Sequence, residues 1–183
     1  EIRTPMNGIM GMLQVLEMSA LSAEQKAQVE IAAGSADTLM RLLNDILDFS
    51  KIEAGRLQFE SIEFPLHETV DDALELLAAR AAGKNLELAA VVPHDLPPRL
   101  RGDPGRLRQV LLNLIGNAVK FTENGQIMMR VSREDEDAGH IRLRFAVIDT
   151  GVGIAPEAQK NVFQAFHQAD NSTTRRFGGT GLG

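Results

Sequence analysis

Apolar residues recur every three or four positions through the opening part of the chain, which predicts two amphipathic helices. The first carries the apolar positions Ile2, Met6, Ile9, Leu13 and Leu16, and the second, over about 24–54, carries Val29, Ala32, Ala36, Leu39, Leu43 and Ile46. Ser22 is placed to cap the second helix and Gly55 to end it. Helices with one narrow stripe each cannot bury it alone, so we expect an antiparallel hairpin that dimerises into a four-helix bundle.

From about residue 56 onward, segments with helical periodicity alternate with segments typical of strands, as in an α/β domain. We expect a connector and extended segment over 56–65, a helix over 66–82, a strand over 86–92, a helix over 103–122, and strands over 126–133 and 140–148. Phe59, Ile62 and Phe64 are the expected apolar anchors of the first segment, and the acidic run 134–137 with Gly139 is the expected tip of a hairpin, facing solvent. The order predicts a mixed sheet with helices on one face. The fold class is therefore α+β, a helical hairpin followed by an α/β sandwich.

The stretch 103–122 has the most unusual pattern. Asp103 is placed as N-cap with Pro104 after it. The apolar stripe consists of Leu107, Val110, Leu111, Leu114, Ile115 and Ala118. Asn113, Asn117 and Lys120 follow one flank of that stripe, since they are four and three residues apart. An amide oxygen suits Mg²⁺ and an ammonium suits phosphate. A helix whose polar flank happens to be rich in asparagine is an equally good interpretation of this segment alone.

Asp149 ends a strand in which Ile141, Leu143, Phe145 and Val147 alternate, and it falls on their face. A carboxylate there needs a partner. It is either the first residue of an Asx turn, with Gly151 two residues on, or the acceptor for an amino group of a ligand. In the second case Gly151 and Gly153 would let the backbone approach a flat ligand.

Two further segments are ambiguous from the pattern alone. Pro5 fits the first position of a helix capped by Thr4. At the other end of the chain, we expect a helix over 155–166 with Pro156 at its start and Phe163 and Phe166 as anchors. A polar and mobile loop follows over 167–177, and a glycine cluster over 178–183 that could cradle phosphates.

Composition narrows the class of protein. Lysine plus arginine number 19 against 25 aspartates and glutamates, a net charge of −6, which argues against nucleic-acid binding. The absence of cysteine excludes disulfides and thiolate metal sites. No apolar run reaches the about 18 to 20 residues of a membrane span. We expect a soluble, acidic and cytoplasmic chain, and a fragment, because it begins inside a helical pattern and stops in a glycine cluster.

These motifs together resemble the sensor histidine kinases of two-component systems. We identify the segment after the phospho-acceptor histidine in EIRTPMNGIMGM, the asparagine box in RLRQVLLNLIGNAVKFT and the first glycine box in DTGVGI. The phenylalanine box is FQAF and the second glycine box is GGTGLG. The wording of STTRRFGGTGLG is most similar to hybrid kinases that feed a multistep phosphorelay.

The resemblance implies a site for ATP and Mg²⁺ in residues 58–183. Asn117 would ligate Mg²⁺, with Asn113 and Lys120 contacting the phosphates or ordering their surroundings. Asp149 would accept the adenine amino group. The remaining implied nucleotide-binding residues are Gly151 and Gly153 at the base, Arg176 in a lid over 167–180, and Gly179, Thr180, Gly181 and Gly183 at the phosphate side.

The resemblance also implies roles at the start of the chain. Glu1 would activate the acceptor histidine as hydrogen-bond partner and base, and Thr4 would position a water for dephosphorylating a partner. Pro5 would then kink the helix, in place of the helix start that the local pattern favours. The acceptor itself would directly precede Glu1. The histidines present lie in other contexts, so we name no phosphorylation site among them: His67, His94, His140 and His167.

The implied function is that of a kinase core. Residues 1–57 would be the dimerisation and phosphotransfer hairpin of a homodimer. Residues 58–183 would be the ATP-binding domain, with its C-terminal part missing. The γ-phosphoryl group would pass to the histidine and then to an aspartate of a response-regulator receiver domain. The parent protein would be anchored in the bacterial inner membrane, while this fragment would be inactive in autophosphorylation.

Two alternatives remain. The fragment could only dimerise and bind ATP, without kinase activity. It could instead belong to the ATPases of the gyrase and chaperone superfamily. Those enzymes place a glutamate base one helical turn before the metal-binding asparagine, and the corresponding residue here is Asn113, which disfavours water activation.

Overall fold

The structure, a computed structural model, describes residues 2–137 and 139–162. The chain divides into two compact units, and the division falls between Leu57 and Gln58. We describe each unit by itself.

The first unit is an antiparallel helical hairpin. Its helices are α1 (Arg3–Glu17) and α2 (Ala23–Glu53). Ser22 and Gln25 form a reciprocal capping box at the start of α2, with hydrogen bonds of 2.9 and 3.2 Å. Gly55 has φ +63°, the left-handed conformation that ends a helix. The predicted hairpin, its cap and its terminating glycine are confirmed.

The hairpin leaves most of its apolar stripe in solvent. Among its described residues only Met6 and Ala36 are buried. The exposed large apolar side chains are Ile2, Ile9, Met12, Val15, Leu16, Met18, Ile31, Leu39, Ile46, Leu47 and Ile52. Two helices alone therefore do not bury this stripe, as the narrow periodicity predicts.

The start of α1 differs from the local prediction. Ile2 is the N-cap, and Arg3 is the first helical residue. Thr4 is therefore inside the helix and does not cap it. Pro5 lies in the first turn, where its missing N–H would have had no partner within the helix. A kink at Pro5 stays a prediction.

The second unit is an α/β domain built on a mixed sheet. Its elements are β1 (Ile62–Pro65), α3 (Leu66–Ala82), β2 (Leu86–Val91), β3 (Arg99–Gly102), α4 (Pro104–Phe121), β4 (Gly125–Asp137), β5 (His140–Asp149) and α5 (Pro156–Gln159). The main sheet has the order β2-β4-β5, in which β2 and β4 are parallel and β4 and β5 antiparallel. The predicted mixed sheet with covering helices is confirmed.

The core lies between one face of this sheet and the helices α3 and α4. From β4 it takes Ile127, Met129 and Val131, which alternate along the strand. The helices contribute Leu66, Val70, Ala73, Leu77 and Ala81 from α3, and Leu111, Ile115, Ala118 and Val119 from α4. This packing fixes which face of α4 points away from the sheet.

Three predictions for this unit are wrong. The pattern did not predict β3, which pairs antiparallel with β1. Phe59 is 70% exposed and Ile62 48% exposed, so of the three expected anchors only Phe64 packs in the core. The acidic run 134–137 belongs to β4 and is paired with β5.

Ion pairs accompany the acidic end of the β4–β5 hairpin, one across the strands and one within β4. Glu134 lies 2.7 Å from Arg144 of the facing strand, and Arg133 lies 2.7 Å from Glu136. The chain turns at Gly139, the glycine of the predicted tip, whose φ is +101°, and the acidic run before it is exposed as expected. The acidic residues are thus matched by arginines that the charge run alone does not show.

The short helix α5 begins at Pro156, as predicted, with Ala155 as N-cap, but it ends at Gln159 and a turn follows over 160–162, so the helix predicted over 155–166 is too long. The expected anchors Phe163 and Phe166 lie outside the described residues.

Candidate functional site

A carboxylate fixes the start of α4. Oδ1 of Asp103 accepts the backbone N–H of Arg106 at 2.9 Å, and Oδ2 accepts that of Glu60 at 3.1 Å. These hydrogen bonds, that from Arg106 being the stronger cause, hold the pKa of Asp103 below its ordinary value. The predicted cap is confirmed, and it also ties α4 to the segment before β1.

The predicted polar flank of α4 faces solvent. Asn113 and Asn117 are exposed, while Leu111, Ile115 and Ala118 on the other side are buried. Among the described residues no hydrogen bond reaches the side-chain amide of Asn113 or Asn117. Both amides are therefore accessible, one helical turn apart, for an outside partner.

The apolar stripe of α4 is narrower than predicted. Val110 is 54% exposed and Leu114 is 40% exposed, so neither belongs to the core. Val119 takes a core position instead. The sheet covers a limited arc of the helix, and positions at the edge of the stripe fall outside it. Val110 and Leu114 consequently form an apolar border beside the two asparagines.

Lys120 lies half-buried near the end of the same flank. Its ammonium nitrogen is 4.8 Å from the centroid of the Phe121 ring, a cation–π distance. Burial lowers the pKa of Lys120 from its ordinary value, because a desolvated ammonium is less stable than a solvated one. An anion bound at this position would offset that cost.

Asp149 ends β5 as an exposed residue and forms an Asx turn. Its Oδ1 accepts the N–H of Gly151 at 2.9 Å. This hydrogen bond orients the carboxylate, and no described residue donates a hydrogen bond to Oδ2. The two interpretations of Asp149 are thus compatible, since the turn uses one oxygen and leaves the other accessible.

The Asx turn lies against the end of α4. A Cβ atom on Gly151 would come within 2.7 Å of the carbonyl oxygen of Phe121 and 2.9 Å of Oγ1 of Thr122. The N–H of Val152 donates to the same Phe121 oxygen at 3.4 Å. The absence of a side chain at residue 151 therefore permits the ends of α4 and β5 to meet. Gly153 also needs to be glycine, since its φ is +69°.

Thr150 forms a second link that sequence reasoning missed. Its Oγ1 accepts the N–H of Gln126 at 3.1 Å, and it approaches the carbonyl oxygen of Asn124 at 3.3 Å. A Cβ atom on Gly125 would overlap the Thr150 side chain. The partner of Thr150 lies 24 residues earlier in the chain, so no local sequence signal marks this link.

Thr122 was also missed. It is fully buried. In the described part of the chain its Oγ1 is the one buried side-chain nitrogen or oxygen atom without a hydrogen-bond partner. A buried threonine directly after a helix carries no distinctive sequence signal.

The described residues fit an adenine nucleotide. Oδ2 of Asp149 is an exposed acceptor of the kind that an exocyclic amino group needs. Gly151 lets the turn with Asp149 lie against the end of α4, and an ammonium such as that of Lys120 is a suitable partner for phosphate. Among residues 2–137 and 139–162 no group of three histidine, cysteine or acidic side chains could hold a metal ion. Asn117 fits Mg²⁺ as an amide ligand that supplements phosphate oxygens, an arrangement typical of this ion.

Other predicted site residues are not brought to this place by the described structure. Thr4 is exposed on α1, in the other unit. Glu1, Arg176, Gly179, Thr180, Gly181 and Gly183 lie outside the described residues. Within the described ranges, no helix is both long enough and apolar enough to span a bilayer.

The chain matches the models of two protein families. Residues 102–183 match the family described as histidine kinase-, DNA gyrase B-, and HSP90-like ATPases. Residues 1–55 match the His Kinase A (phospho-acceptor) domain. The chain belongs to the histidine kinases. The phospho-acceptor match distinguishes this histidine kinase from gyrase and HSP90, which the first description also covers.

Individual relatives agree with the family. The histidine kinase chain is 49% identical over 183 residues to the sensor protein GacS of Pseudomonas syringae pv. syringae, and 44% identical to the signal transduction histidine-protein kinase BarA of Escherichia coli K12. Each match covers 100% of this chain and 20% of the relative, so the chain spans about a fifth of their length.

A solved structure confirms the fold. Full-length ShkA, crystallised in complex with AMPPNP, matches with a TM-score of 0.75 and 40% sequence identity. The match covers 99% of this histidine kinase chain and 36% of ShkA. The predicted family and fold class are therefore confirmed.

Proposed function

We propose that this chain binds Mg²⁺·ATP on the solvent face of α4 and at the end of β5, and that the protein containing it is an ATP-dependent histidine kinase. The observation that carries the proposal is the close approach of the turn after β5 to the end of α4: the Val152 N–H donates to the Phe121 carbonyl oxygen at 3.4 Å, and only a glycine fits at residue 151. It brings Asp149 next to the helix that carries Asn117 and Lys120. ATP binding is in keeping with the matched ATPase family and with the AMPPNP complex of ShkA.

Asp149 would select the base. Its Oδ1 is held by the N–H of Gly151 at 2.9 Å, so its Oδ2 would accept the adenine amino group. Gly151 would shape the base pocket by letting the turn with Asp149 lie against the end of α4, and Gly153, with no atom within 4 Å of an added Cβ, would leave space beside it. Guanine carries a carbonyl oxygen in place of that amino group, and it would be rejected because two acceptors would then face each other.

The flank of α4 would bind the triphosphate. Asn117 would donate its amide oxygen to Mg²⁺, while Asn113 and Lys120 would contact or order the phosphates. Catalysis would rest on positioning and on neutralising charge at the transferred group, as for phosphoryl transfer generally. We assign Arg176 and the glycine-rich segment with Gly179, Thr180, Gly181 and Gly183 to the phosphate side on the resemblance alone.

Residues 1–57 would form the phosphotransfer domain and 58–183 the ATP-binding domain. The acceptor would be the histidine that, in the family, directly precedes the residue matching Glu1. Glu1 would take the imidazole proton as the bond between phosphorus and the acceptor nitrogen forms and the bond to the β-phosphate oxygen breaks. Thr4 would position the water that later hydrolyses the partner's acyl phosphate.

Two partners follow from this assignment. The exposed apolar stripe of the hairpin would pack against a second copy of the chain, as the phospho-acceptor domain match suggests. A response-regulator receiver domain would then take the phosphoryl group on an aspartate, as in the hybrid-type phosphorelay that the motifs resemble. The work of this core would be cytoplasmic, with any inner-membrane anchor in other parts of the parent.

An ATPase of the gyrase or chaperone kind is less well supported. Such an enzyme needs a carboxylate base one turn before the metal-binding amide, and an exposed amide, Asn113, occupies that place. A carboxamide does not accept a proton from water near neutral pH.

The test is a titration of a fluorescent ATP analogue into the 183-residue chain, with and without Mg²⁺. Asp149→Asn should weaken binding by about tenfold to a hundredfold, since it replaces a charged acceptor. Asn117→Ala should abolish the dependence on Mg²⁺. Asp71→Asn on α3 and Asn7→Ala on α1 are matched controls at exposed positions outside the proposed site, and both should bind as the unchanged chain does.

Different results test the contact to the base, the location of the site and the kinase activity separately. Binding that Asp149→Asn leaves unchanged would place the base elsewhere, and competition by GTP equal to that by ATP would contradict the proposed role of Oδ2. No binding by a folded chain would overturn the proposed site. Kinase activity is tested on the full-length protein, where [γ-³²P]ATP should label a histidine in an acid-labile, base-stable linkage.

A further inference from the structure

Lys84 lies in the short connection between α3 and β2 and reaches the far end of α4. Its ammonium nitrogen donates to the carbonyl oxygens of Val119 at 2.7 Å, of Lys120 at 3.0 Å and of Thr122 at 3.4 Å. An ammonium has three protons, and these three contacts use all of them. The side chain is half-buried, so its contacts are partly shielded from water.

The carbonyl groups at this place need such a donor. The last carbonyls of a helix have no N–H partner within the helix, and they form the negative end of its dipole. A cation that donates hydrogen bonds to them is favourable on both counts, and charge-assisted hydrogen bonds are the stronger kind. Lys84 thus closes the end of α4 in place of a capping residue.

The remaining carbonyl group in this stretch, that of Phe121, is bound by a different element. The Phe121 oxygen accepts the N–H of Val152 at 3.4 Å and borders Gly151. Lys84 and the turn after β5 therefore hold four consecutive carbonyl groups, of residues 119–122, from two sides. Loss of the hydrogen bonds from Lys84 would therefore let the peptide groups that Val152 and Gly151 contact change position, and the reverse also holds.

We propose that Lys84 is a positioning residue of the nucleotide site. It contacts no proposed ligand group; it fixes the last turn of α4, with Lys120 in it, against the turn that carries Asp149 and Gly151. The part that concerns nucleotide affinity rests on the proposed function. The mechanical part of the proposal, that Lys84 holds the turn at Val152 in place, is independent of the proposed function.

The absence of cysteine from the chain permits a chemical test at this one position. Lys84→Cys removes the ammonium, and 2-bromoethylamine then converts the cysteine to S-aminoethylcysteine, which restores an ammonium at nearly the original distance. Iodoacetamide adds similar bulk without charge. Lys26→Cys on α2, carried through the same reactions, controls for modification and for general effects on the chain.

Lys84→Cys should lower the affinity for the ATP analogue by about tenfold, within the usual range of coupling between sites. Aminoethylation should restore affinity to within about twofold, and the iodoacetamide adduct should stay weak. Measurements are made well below the unfolding temperature of each form. A lower unfolding temperature with unchanged affinity would reduce Lys84 to a purely stabilising residue and overturn the proposal.

Amide hydrogen exchange tests the mechanical part without nucleotide. Lys84→Cys should speed exchange of the Val152 N–H at least about tenfold, while the amides of Leu111 and Ile115 keep their protection. Aminoethylation should reverse the change. Unchanged exchange at Val152 would overturn the proposal even if the nucleotide affinity falls. If the chain without substitutions binds no nucleotide, but Lys84→Cys still speeds exchange at Val152, the proposed function fails. The link from Lys84 to Val152 then stands.

Discussion

Gly151 is placed so close to Phe121 that a Cβ atom would lie 2.7 Å from the Phe121 carbonyl oxygen. The oxygen belongs to backbone at a helix end that is held in place, so it has little freedom to move away. The glycine is therefore required by the packing of two elements, beyond any need of a bound ligand.

Gly151→Ala should lower the free energy of unfolding by about 1 to 3 kcal/mol, the usual cost of overpacking. Because the ends of α4 and β5 must separate, the affinity for ATP should fall as well. Urea denaturation measures the first effect and nucleotide titration the second. Gly116→Ala within α4 is the control: no atom lies within 4 Å of its added Cβ, and it should raise stability by about 0.5 to 1 kcal/mol. Equal effects of the two substitutions would refute the steric explanation.

The affinity for ATP should fall as the pH rises through the pKa of Lys120. In the free chain burial lowers this pKa from 10.5, and a bound phosphate would raise it again by favouring the ammonium. Nucleotide therefore binds less tightly once the free chain loses the proton. The stability of the free chain should respond in the opposite direction, rising over the same interval, because the unfolded chain holds its proton to higher pH.

The variant Lys120→Arg distinguishes the titration of Lys120 from that of other groups. A guanidinium stays charged throughout, so this variant should keep its affinity where the unchanged chain loses it. The measurement is a set of nucleotide titrations from about pH 7 to about pH 10.5 at constant ionic strength. An identical pH profile in both chains would exclude Lys120 as the titrating phosphate partner.

Thr122→Val should stabilise the chain. The Thr122 hydroxyl is fully buried and finds no partner within the described ranges, and valine has nearly the same shape without the polar atom. We expect a gain of about 1 kcal/mol in the free energy of unfolding, the lower end of the cost of an unsatisfied buried group. Thermal and urea denaturation would measure it, with Thr38→Val on α2 for comparison. A loss of stability would show that the hydroxyl has a partner.

Leu39→Glu and Ile46→Glu should each weaken self-association of the hairpin by more than about tenfold. Both side chains are exposed on α2, and burying such a side chain contributes about 1.5 to 3 kcal/mol. Sedimentation equilibrium over a range of concentrations gives the dissociation constant. Gln28→Glu adds the same charge at an exposed polar position of α2 and should leave it unchanged.

The two ends of α2 and the start of α4 followed from local signals in the sequence. The capping box of Ser22, the N-cap of Asp103 and the positive φ of Gly55 are interactions within a few residues, so the pattern that predicts them is complete in the local sequence. The same holds for the exposed flank with Asn113 and Asn117, because helical spacing alone sets it.

The missed features depend on residues far apart in the chain. β3 pairs with β1, where Leu100 lies opposite Phe64, and near the acidic end of β4 Glu134 forms an ion pair with Arg144 of β5. Lys84 and Val119 are 35 residues apart. No window of local sequence contains both members of such a pair, which is why these long-range supports could not be predicted.

The crossover from β2 to β4 has a consequence for the order of folding. β4 and β5 form a hairpin whose strands are adjacent in sequence, whereas β2 joins β4 in parallel only after the chain has passed through β3 and α4. Closing that longer loop costs more entropy before its contacts form. The β4–β5 hairpin can thus be present early, and the surface with Asn113, Asn117 and Lys120 is completed when α4 docks. In refolding, protection of the β4–β5 amides should precede the recovery of nucleotide binding.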